Sequence, residues 1–355
     1  MSHNFESGFS VGEVPWHGLG EIIPENQKLS IAEGIIAAGM NWDVYTRPAG
    51  YAVAGELTYP QMSMLDDDGE EIFQPKHKFT MRRMLVSAED GSEVEQEQVL
   101  GLVGGGYKIV QNQEIFEFFQ PFLDRKEAEL HTAGSLCNGK VVWALAKLNR
   151  APLEITPGDE ISKFLLLSSS HDGSKALSVG FTPIRVVCAN TLAMAHRDQR
   201  SKMLRLKHTR LIHANLENVR ETIDAVNAEF EATAEQYRTL QCKGINQKDL
   251  ESYVTACVAT PQQIENGLST RLQNIIEQDI LPRFESKANT LPGVRGTYWA
   301  AYNAMTEYYT WSAGGNGGER QSELDKRQTR LASNWLGGNV KKNADALKLA
   351  LELSV

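Results

Sequence analysis

The sequence predicts an α+β fold: an antiparallel β-hairpin sheet packed with helices, followed by a mainly helical C-terminal half. Three observations carry that reading. Residues 51–210 hold strand-like runs separated by short turn signals such as Asp-Gly. Beyond residue 210, apolar residues recur at steps of three and four, and Thr and Pro stand where a helix would start. Hydrophobic residues make up 41% of the 355 and charged residues 23%, the balance of a globular chain rather than a disordered one. Three regions follow: an N-terminal clasp and helix (1–50), a β-rich α+β core (51–210) and a helical C-terminal region (211–355).

The elements follow in chain order. "PWHGLG" packs Pro15, Trp16, His17, Gly18 and Gly20 into one short stretch. Pro and Gly suit a fixed turn, with Trp16 and Leu19 as anchors and His17 in a buried hydrogen bond. "SIAEGIIAAG" reads as a helix, with Ser30 as cap, Glu33 completing a capping box, and Ile31, Ile35 and Ala38 on one face. From Lys76, "KHKFTMRRMLV", "EVEQEQVLGLV" and "GYKIV" read as three strands, the first two turning at "EDGS". The acidic run at 66–71 is a solvated loop tip between strands. "NQEIFEFFQPFLDR" is a helix capped by Asn112, with Pro121 shortening its last turn. "NGKVVWALAKL" is a strand, and "EISKFLLLSSSHDGSKALSVGFTPIRVV" a strand pair turning at Asp172-Gly173.

The helical half begins with a seam at about 211–241, formed by Val219, Ile223, Val226, Phe230, Thr233 and Tyr237. Such a seam packs on another helix, of this chain or of a neighbouring subunit. "ATPQQIENGLSTRLQNIIEQDIL" is one helix with Thr260 as cap and Pro261 in its first turn. "GTYWAAYNAMTEYYTW" and residues 339–353 are two more, and "GGNGGERQSE" is a flexible linker or loop.

Composition excludes several classes. No run approaches the roughly 18 apolar residues of a membrane span. "MSHNFESGFSVGE" lacks a basic start and an apolar stretch, so no secretory leader is visible. Cys137, Cys188, Cys242 and Cys257 form no C-x-x-C pair, which disfavours a zinc ribbon or redox motif and fits a reduced, cytoplasmic setting. A net charge of −9 argues against coating nucleic acid through the overall field, so the distribution of charge matters more than its sum.

Four constellations could carry chemistry. The eight histidines show neither H-E-x-x-H nor H-x-H spacing, so no metal and no cofactor is expected. "SSSHDGS" places His171, Asp172 and Ser174 together, with Cys188 nearby in sequence. Turn chemistry is the simpler reading, Asp and Gly making the turn and Ser capping it. "GLVGGGYK" lacks the phosphate-loop pattern and reads as a turn or bulge. The fourth is a basic stretch. Between Met194 and His213, six cations (Arg197, Arg200, Lys202, Arg205, Lys207 and Arg210) stand against one acid, Asp198. In "KMLRLKHT" a strand would turn Leu204 and Leu206 to the core and Arg205 with Lys207 outward. Arg82, Arg83, Lys76 and Lys78 on the earlier hairpin could join them. Such a face either meets a phosphate backbone or is a solvated face balanced by the protein's own acids. The aromatics of residues 298–311 suit a helix core, or base stacking if exposed beside the basic strand.

Taken in order, "PWHGLG", "GGGYKIVQNQEIFEFF", "TAGSLCNGKVVWALAKL", "LLLSSSHDGS", "TPIRVVCANTL", "GTYWAAYNAMTEYY" and "RLASNWLGGNVKKNADALKLAL" resemble the phage/plasmid-like family catalogued as a domain of unknown function. The resemblance runs from about residue 12 to 353. The chain departs from it in a longer insert around "LDDDGEEIFQ" and in Trp311, where relatives often carry histidine. The family brings no active site, and its members accompany recombination or replication functions of phages and plasmids. A basic β-hairpin sheet backed by helices is also similar to the core of RecT/Redβ and eukaryotic mediator single-strand annealing proteins.

Three functions are therefore weighed. The first is a cytoplasmic, oligomeric protein of the bacterial host cell that binds and anneals or protects single-stranded DNA. Its ligands would be Arg197, Arg200, Lys202, Arg205 and Lys207, with Arg82 and Arg83 in second rank. The second is a hydrolase converging on His171, Asp172 and Cys188. The third is a non-enzymatic phage structural or host-interaction protein with an exposed apolar patch.

Overall fold

The computed structural model describes residues 5–12, 20–53, 56–65, 71–87, 92–149, 152–185, 190–191, 204–209, 212, 233–313, 333 and 338–355. Strands dominate the first half and helices the second, an α+β arrangement. The main sheet has nine strands: β1 (Phe5–Val11), β2 (Glu21–Ile23), β10 (Ala128–Leu136), β11 (Val141–Leu148), β12 (Leu153–Thr156), β13 (Asp159–Ser170), β14 (Leu177–Arg185), β15 (Asn190–Thr191) and β16 (Leu204–Leu206). Its path is β15-β14-β13-β11-β10-β1-β2, with β12 on β13 and β16 on β14. All pairings are antiparallel except β1 with β2.

Alternation explains why both faces of the central strands are apolar. Val142, Ala144, Ala146, Leu165 and Leu167 face one core. There they meet Phe116, Phe118, Phe119 and Phe122 from α2 (Asn112–Glu117), α3 (Gln120–Asp124) and the turn between them. Trp143, Leu145, Phe164 and Leu166 form a second cluster. The β10–β11 turn is tight: Cys137, Asn138 and Gly139 all have φ between +55° and +77°.

A three-stranded sheet, β3 (Val44–Pro48), β8 (His77–Ser87) and β9 (Glu93–Gly104), lies beside the main one. Two small hairpins branch from it, β4 (Tyr51–Val53) with β5 (Glu56–Thr58), and β6 (Gln61–Leu65) with β7 (Glu71–Pro75). They carry Tyr51, Leu57, Tyr59, Met62 and Phe73 exposed to solvent.

The helical half comprises residues 233–241, α4 (Gln247–Val258), α5 (Pro261–Glu265), α6 (Thr270–Asn274), a π-helical stretch (Ile275–Ile280), α7 (Leu281–Phe284), α8 (Tyr298–Trp311) and α9 (Gly338–Leu353). Its core of Tyr237, Tyr253, Trp299, Tyr302 and Leu347 also takes in Ile155 and Ile161 from the main sheet. Trp299 Nε1 donates to the buried Asp159 carboxylate at 2.7 Å, and Thr156 Oγ1 to Pro292 O at 3.1 Å.

Several local expectations hold. Ser30 and Glu33 form the capping box of α1 (Ile31–Ala37), Thr260 caps α5, and Thr297 caps α8. The Asp172-Gly173 turn joins β13 to β14. Others are corrected. "GYKIV" forms no third strand, because Lys108 bonds to His208 rather than to β9. The helix after it is two, broken at Phe118–Phe119, with Pro121 in the first turn of α3. Its N-cap is Gln111, and Asn112 instead donates to Met40 O and Trp42 O. The helix expected from Thr260 onward is interrupted at Gly267, whose φ of +87° no helix tolerates. Of the seam, Thr233 and Tyr237 are buried, and Tyr237 packs on Trp299 at 4.8 Å within the same chain. Val219, Ile223, Val226 and Phe230 lie outside the described residues. Trp16, His17, Gly18 and the glycine-rich "GGNGGERQSE" do so too. Among the described residues no helix is long and apolar enough to cross a membrane.

Candidate nucleic-acid interface

β16 pairs with β14 through Leu177↔Leu206, Ser178↔Arg205 and Val179↔Leu204. Leu206 packs against the main core, while Arg205 and Lys207 are exposed. They stand two residues apart, so the alternation of a strand aims both outward. Arg197, Arg200 and Lys202 lie outside the described residues.

The next residue, His208, anchors this edge. Lys108 N donates to His208 O at 3.0 Å, and His208 Nδ1 lies 2.9 Å from Lys108 O. A carbonyl can only accept, so Nδ1 carries a proton, and Nε2 lies 3.3 Å from Ser169 Oγ. Tyr107 stacks on the imidazole at 4.6 Å and donates its hydroxyl to Ser170 O at 2.5 Å. Burial pushes the Tyr107 phenol well above its ordinary range, which keeps it a donor. The turn after β9 is thereby sewn to the end of β16, and the exposed Lys108 and Lys207 become neighbours.

The hairpin adds to the row. Burial, and to a lesser degree the charge of Lys108, pulls the Lys78 ammonium below the ordinary lysine range. In register, Lys78 pairs with Val103 at the end of β9, just before the turn that carries Lys108. Exposed Lys76 is tied to the same turn, its carbonyl accepting from Gly105 N at 2.9 Å. Arg205, Lys207, Lys108, Lys78 and Lys76 thus come from one sheet edge, one turn and one hairpin base. Lys108 was absent from the sequence-predicted set. The glycine-rich turn before it was the available signal, since such turns bring distant strands together.

The other hairpin cations do not join. Arg82 is a correction: it is 1% exposed, and its guanidinium bonds Glu6 and Gln98 and lies 4.6 Å over the Trp42 ring. A buried guanidinium already engaged by a carboxylate cannot reach a phosphate. Arg83, the next residue, points the opposite way and is exposed, but Glu97 lies 3.7 Å and Glu95 3.8 Å from it. Acids of β9 therefore balance the one hairpin arginine that solvent reaches.

His171 lies nearby in a polar centre under the sheet edge. It is fully buried, its Nε2 3.0 Å from Asn112 Oδ1 and its ring 5.5 Å from that of Trp42. Asp172 does not pair with it, since Asp172 Oδ1 accepts from Ser174 N at 2.9 Å, the turn chemistry the sequence predicts. Cys188 lies outside the described residues. Among the described residues no three metal-ligating side chains converge. Burial pushes His171 down to about 3, from 6.5. The unfolded chain therefore binds the extra proton between these values, so stability falls as pH drops through that window. At pH 5 the loss from this residue is about 2 kcal/mol, and His131, pushed to about 4 by burial, acts in the same direction. Denaturant unfolding at pH 7 and pH 5 checks this; equal stabilities at both would show that neither ring is buried neutral.

A family model described as "Domain of unknown function (DUF932)" matches residues 99–335, about two-thirds of the chain. The matched segment contains Lys108, Arg205 and Lys207 and excludes Arg82, Arg83 and the two small hairpins. No curated protein and no solved structure matches the chain.

Proposed function

The chain belongs to the DUF932 family, whose description assigns no activity, and we propose that it is a phage- or plasmid-type protein that binds single-stranded DNA. In this reading it acts as an oligomer, annealing or protecting strands during recombination or replication in the manner of RecT/Redβ-like proteins. The observation that carries the proposal is the row of Arg205, Lys207, Lys108, Lys78 and Lys76 on a chain whose net charge is −9. Cations gathered on one edge of an acidic protein offer a local track for phosphates. Annealing needs no nucleophile and no metal. It needs backbone contacts that leave base edges free to pair.

The test is a titration of fluorescently labelled single-stranded oligonucleotide at several salt concentrations. Five phosphate contacts give a log–log slope of about −3.5 and a loss of roughly 100-fold in affinity between about 50 and 200 mM salt. A slope near zero, or no binding at the lowest salt, would refute the proposal. Imaging with and without the oligonucleotide tests assembly, rings or filaments that lengthen with DNA being the expected result.

One observation favours a second reading. Tyr51, Leu57, Tyr59, Met62 and Phe73 stand exposed on the two small hairpins, and Phe73 is 69% exposed. Apolar side chains grouped on an arm suit a protein contact. They serve oligomerisation in the first reading and a host or structural partner in the second. Self-association without oligonucleotide affinity would select the second.

A further inference from the structure

The helical half holds a cleft that the basic row does not use. It has a volume of about 630 Å³, is open on one side, and is lined by residues that include Arg283, Ser286, Lys287, Leu291, Glu307 and Trp311. That size falls within the roughly 300–1,000 Å³ of small-molecule sites.

Its chemistry is mixed in a specific way. Trp311, the last residue of α8, is 42% exposed, whereas Tyr298, Trp299, Tyr302 and Tyr309 of the same helix are buried. One large aromatic is therefore left out of the core, at the cleft. Arg283 comes to the same place from α7. Its Nη2 donates to Ser312 Oγ at 2.7 Å, one residue beyond Trp311. Its Nε is buried and has no hydrogen-bond partner among the described residues. A guanidinium presents five donors in a fixed fork, and here part of that capacity is unused. Lys287 adds a second cation four residues on. The cleft is also lined by Glu307, 6% exposed, whose Oε1 accepts from Asn289 Nδ2 at 3.2 Å. Two cations and one carboxylate leave these side chains at +1. That charge suits a small anion and disfavours a polyphosphate.

We propose that this cleft binds a planar aromatic ring carrying one phosphate: a nucleoside monophosphate, free or as a unit of a strand. The ring lies against Trp311 and Leu291, and the phosphate meets Arg283 and Lys287. Aromatic stacking is tolerant of the base, so adenine and guanine nucleotides both enter. The site shares no lining residue with the basic row and does not depend on it.

The experiment is a titration of the full chain with AMP, followed by tryptophan fluorescence. Saturable quenching is expected, and Trp311→Leu removes it. Lys287→Gln, at an exposed position, weakens binding about tenfold, as does Arg283→Gln, with circular dichroism confirming that both variants fold. Adenosine alone and inorganic phosphate alone each bind at least tenfold more weakly than AMP, and ATP binds no more tightly. A short single-stranded oligonucleotide that displaces AMP identifies a strand unit as the occupant; failure to displace it identifies the free nucleotide. The Arg205→Glu/Lys207→Glu chain keeps its AMP affinity, which separates this site from the interface proposed above. The inference is overturned if Trp311→Leu quenches as the parent does, if both Arg283→Gln and Lys287→Gln bind AMP unchanged, or if ATP binds tenfold more tightly than AMP.

Discussion

Arg82→Ala is expected to destabilise the fold by about 3–5 kcal/mol, the range for removing one partner of a buried ion pair. The guanidinium reaches four places in the chain. It donates to Glu6 on β1 through both terminal nitrogens, at 3.0 Å from Nη1 to Oε2. It bonds Gln98 on β9 at 2.9 Å from Nε and 2.6 Å from Nη2, and covers the Trp42 indole. Its own strand, β8, is the middle of the smaller sheet. It also fills the space under the β10–β11 turn. A Cβ on Gly139 would come within 2.5 Å of Arg82 Nη1, and the φ of +77° there already disfavours any other residue. The two sheets are thus clamped through one side chain. Its removal leaves the Glu6 carboxylate, among the described residues, with Ser135 Oγ at 2.9 Å as its remaining donor.

Urea unfolding measures the loss. Arg82→Lys recovers only part of it, because an ammonium cannot reproduce the paired fork. The Arg82→Met/Glu6→Gln double variant recovers more, since no charge is then stranded. An Arg82→Ala protein as stable as the parent but unable to bind single strands would return Arg82 to the interface.

The contrast between Arg82 and Lys108 shows what sequence reading reaches. Signals contained within four or five residues were legible: the Ser30–Glu33 and Thr260 caps, the Asp172-Gly173 turn and the alternation that turns Arg205 and Lys207 outward. The same alternation puts Arg82 and Arg83 on opposite faces, so grouping them as one basic pair overlooked a rule already available. Lys108 needed more. It joins Lys207 only because residues 108 and 208 hydrogen-bond across a hundred intervening residues. The cleft was hidden for the same reason, as Arg283 and Trp311 belong to separate helices. Helix α4 was readable and overlooked. Asn246 caps it by accepting from Asp249 N, and Leu250, Tyr253 and Val254 line its buried face at helical spacing. The breaks at Gly267 and at Phe118–Phe119 were not legible, because helical periodicity continues through both.

Reversing two charges on the basic edge gives the sharpest functional expectation. Arg205 and Lys207 are exposed, so Arg205→Glu/Lys207→Glu should change stability by no more than about 0.5 kcal/mol. Its effect on single-stranded DNA should be large. Losing two of five phosphate contacts drops the salt slope from about −3.5 to about −2, and the two introduced carboxylates repel the backbone besides. Together these lower affinity by on the order of 10²-fold near 0.1 M salt. Lys108→Glu alone should cost about one decade, and it tests whether the turn shares the track with β16. Arg83→Glu should change little, because Glu95 and Glu97 already oppose that position. The ordering among these variants discriminates better than any single value. A uniform fall for all of them would point to the protein's general field, which is repulsive at a net charge of −9 and cannot itself attract DNA. A fall confined to Arg205, Lys207 and Lys108 locates the phosphates on the edge where β16 meets the Tyr107–Lys108 turn. Unchanged affinity and slope in the double variant would remove the edge from the interface altogether.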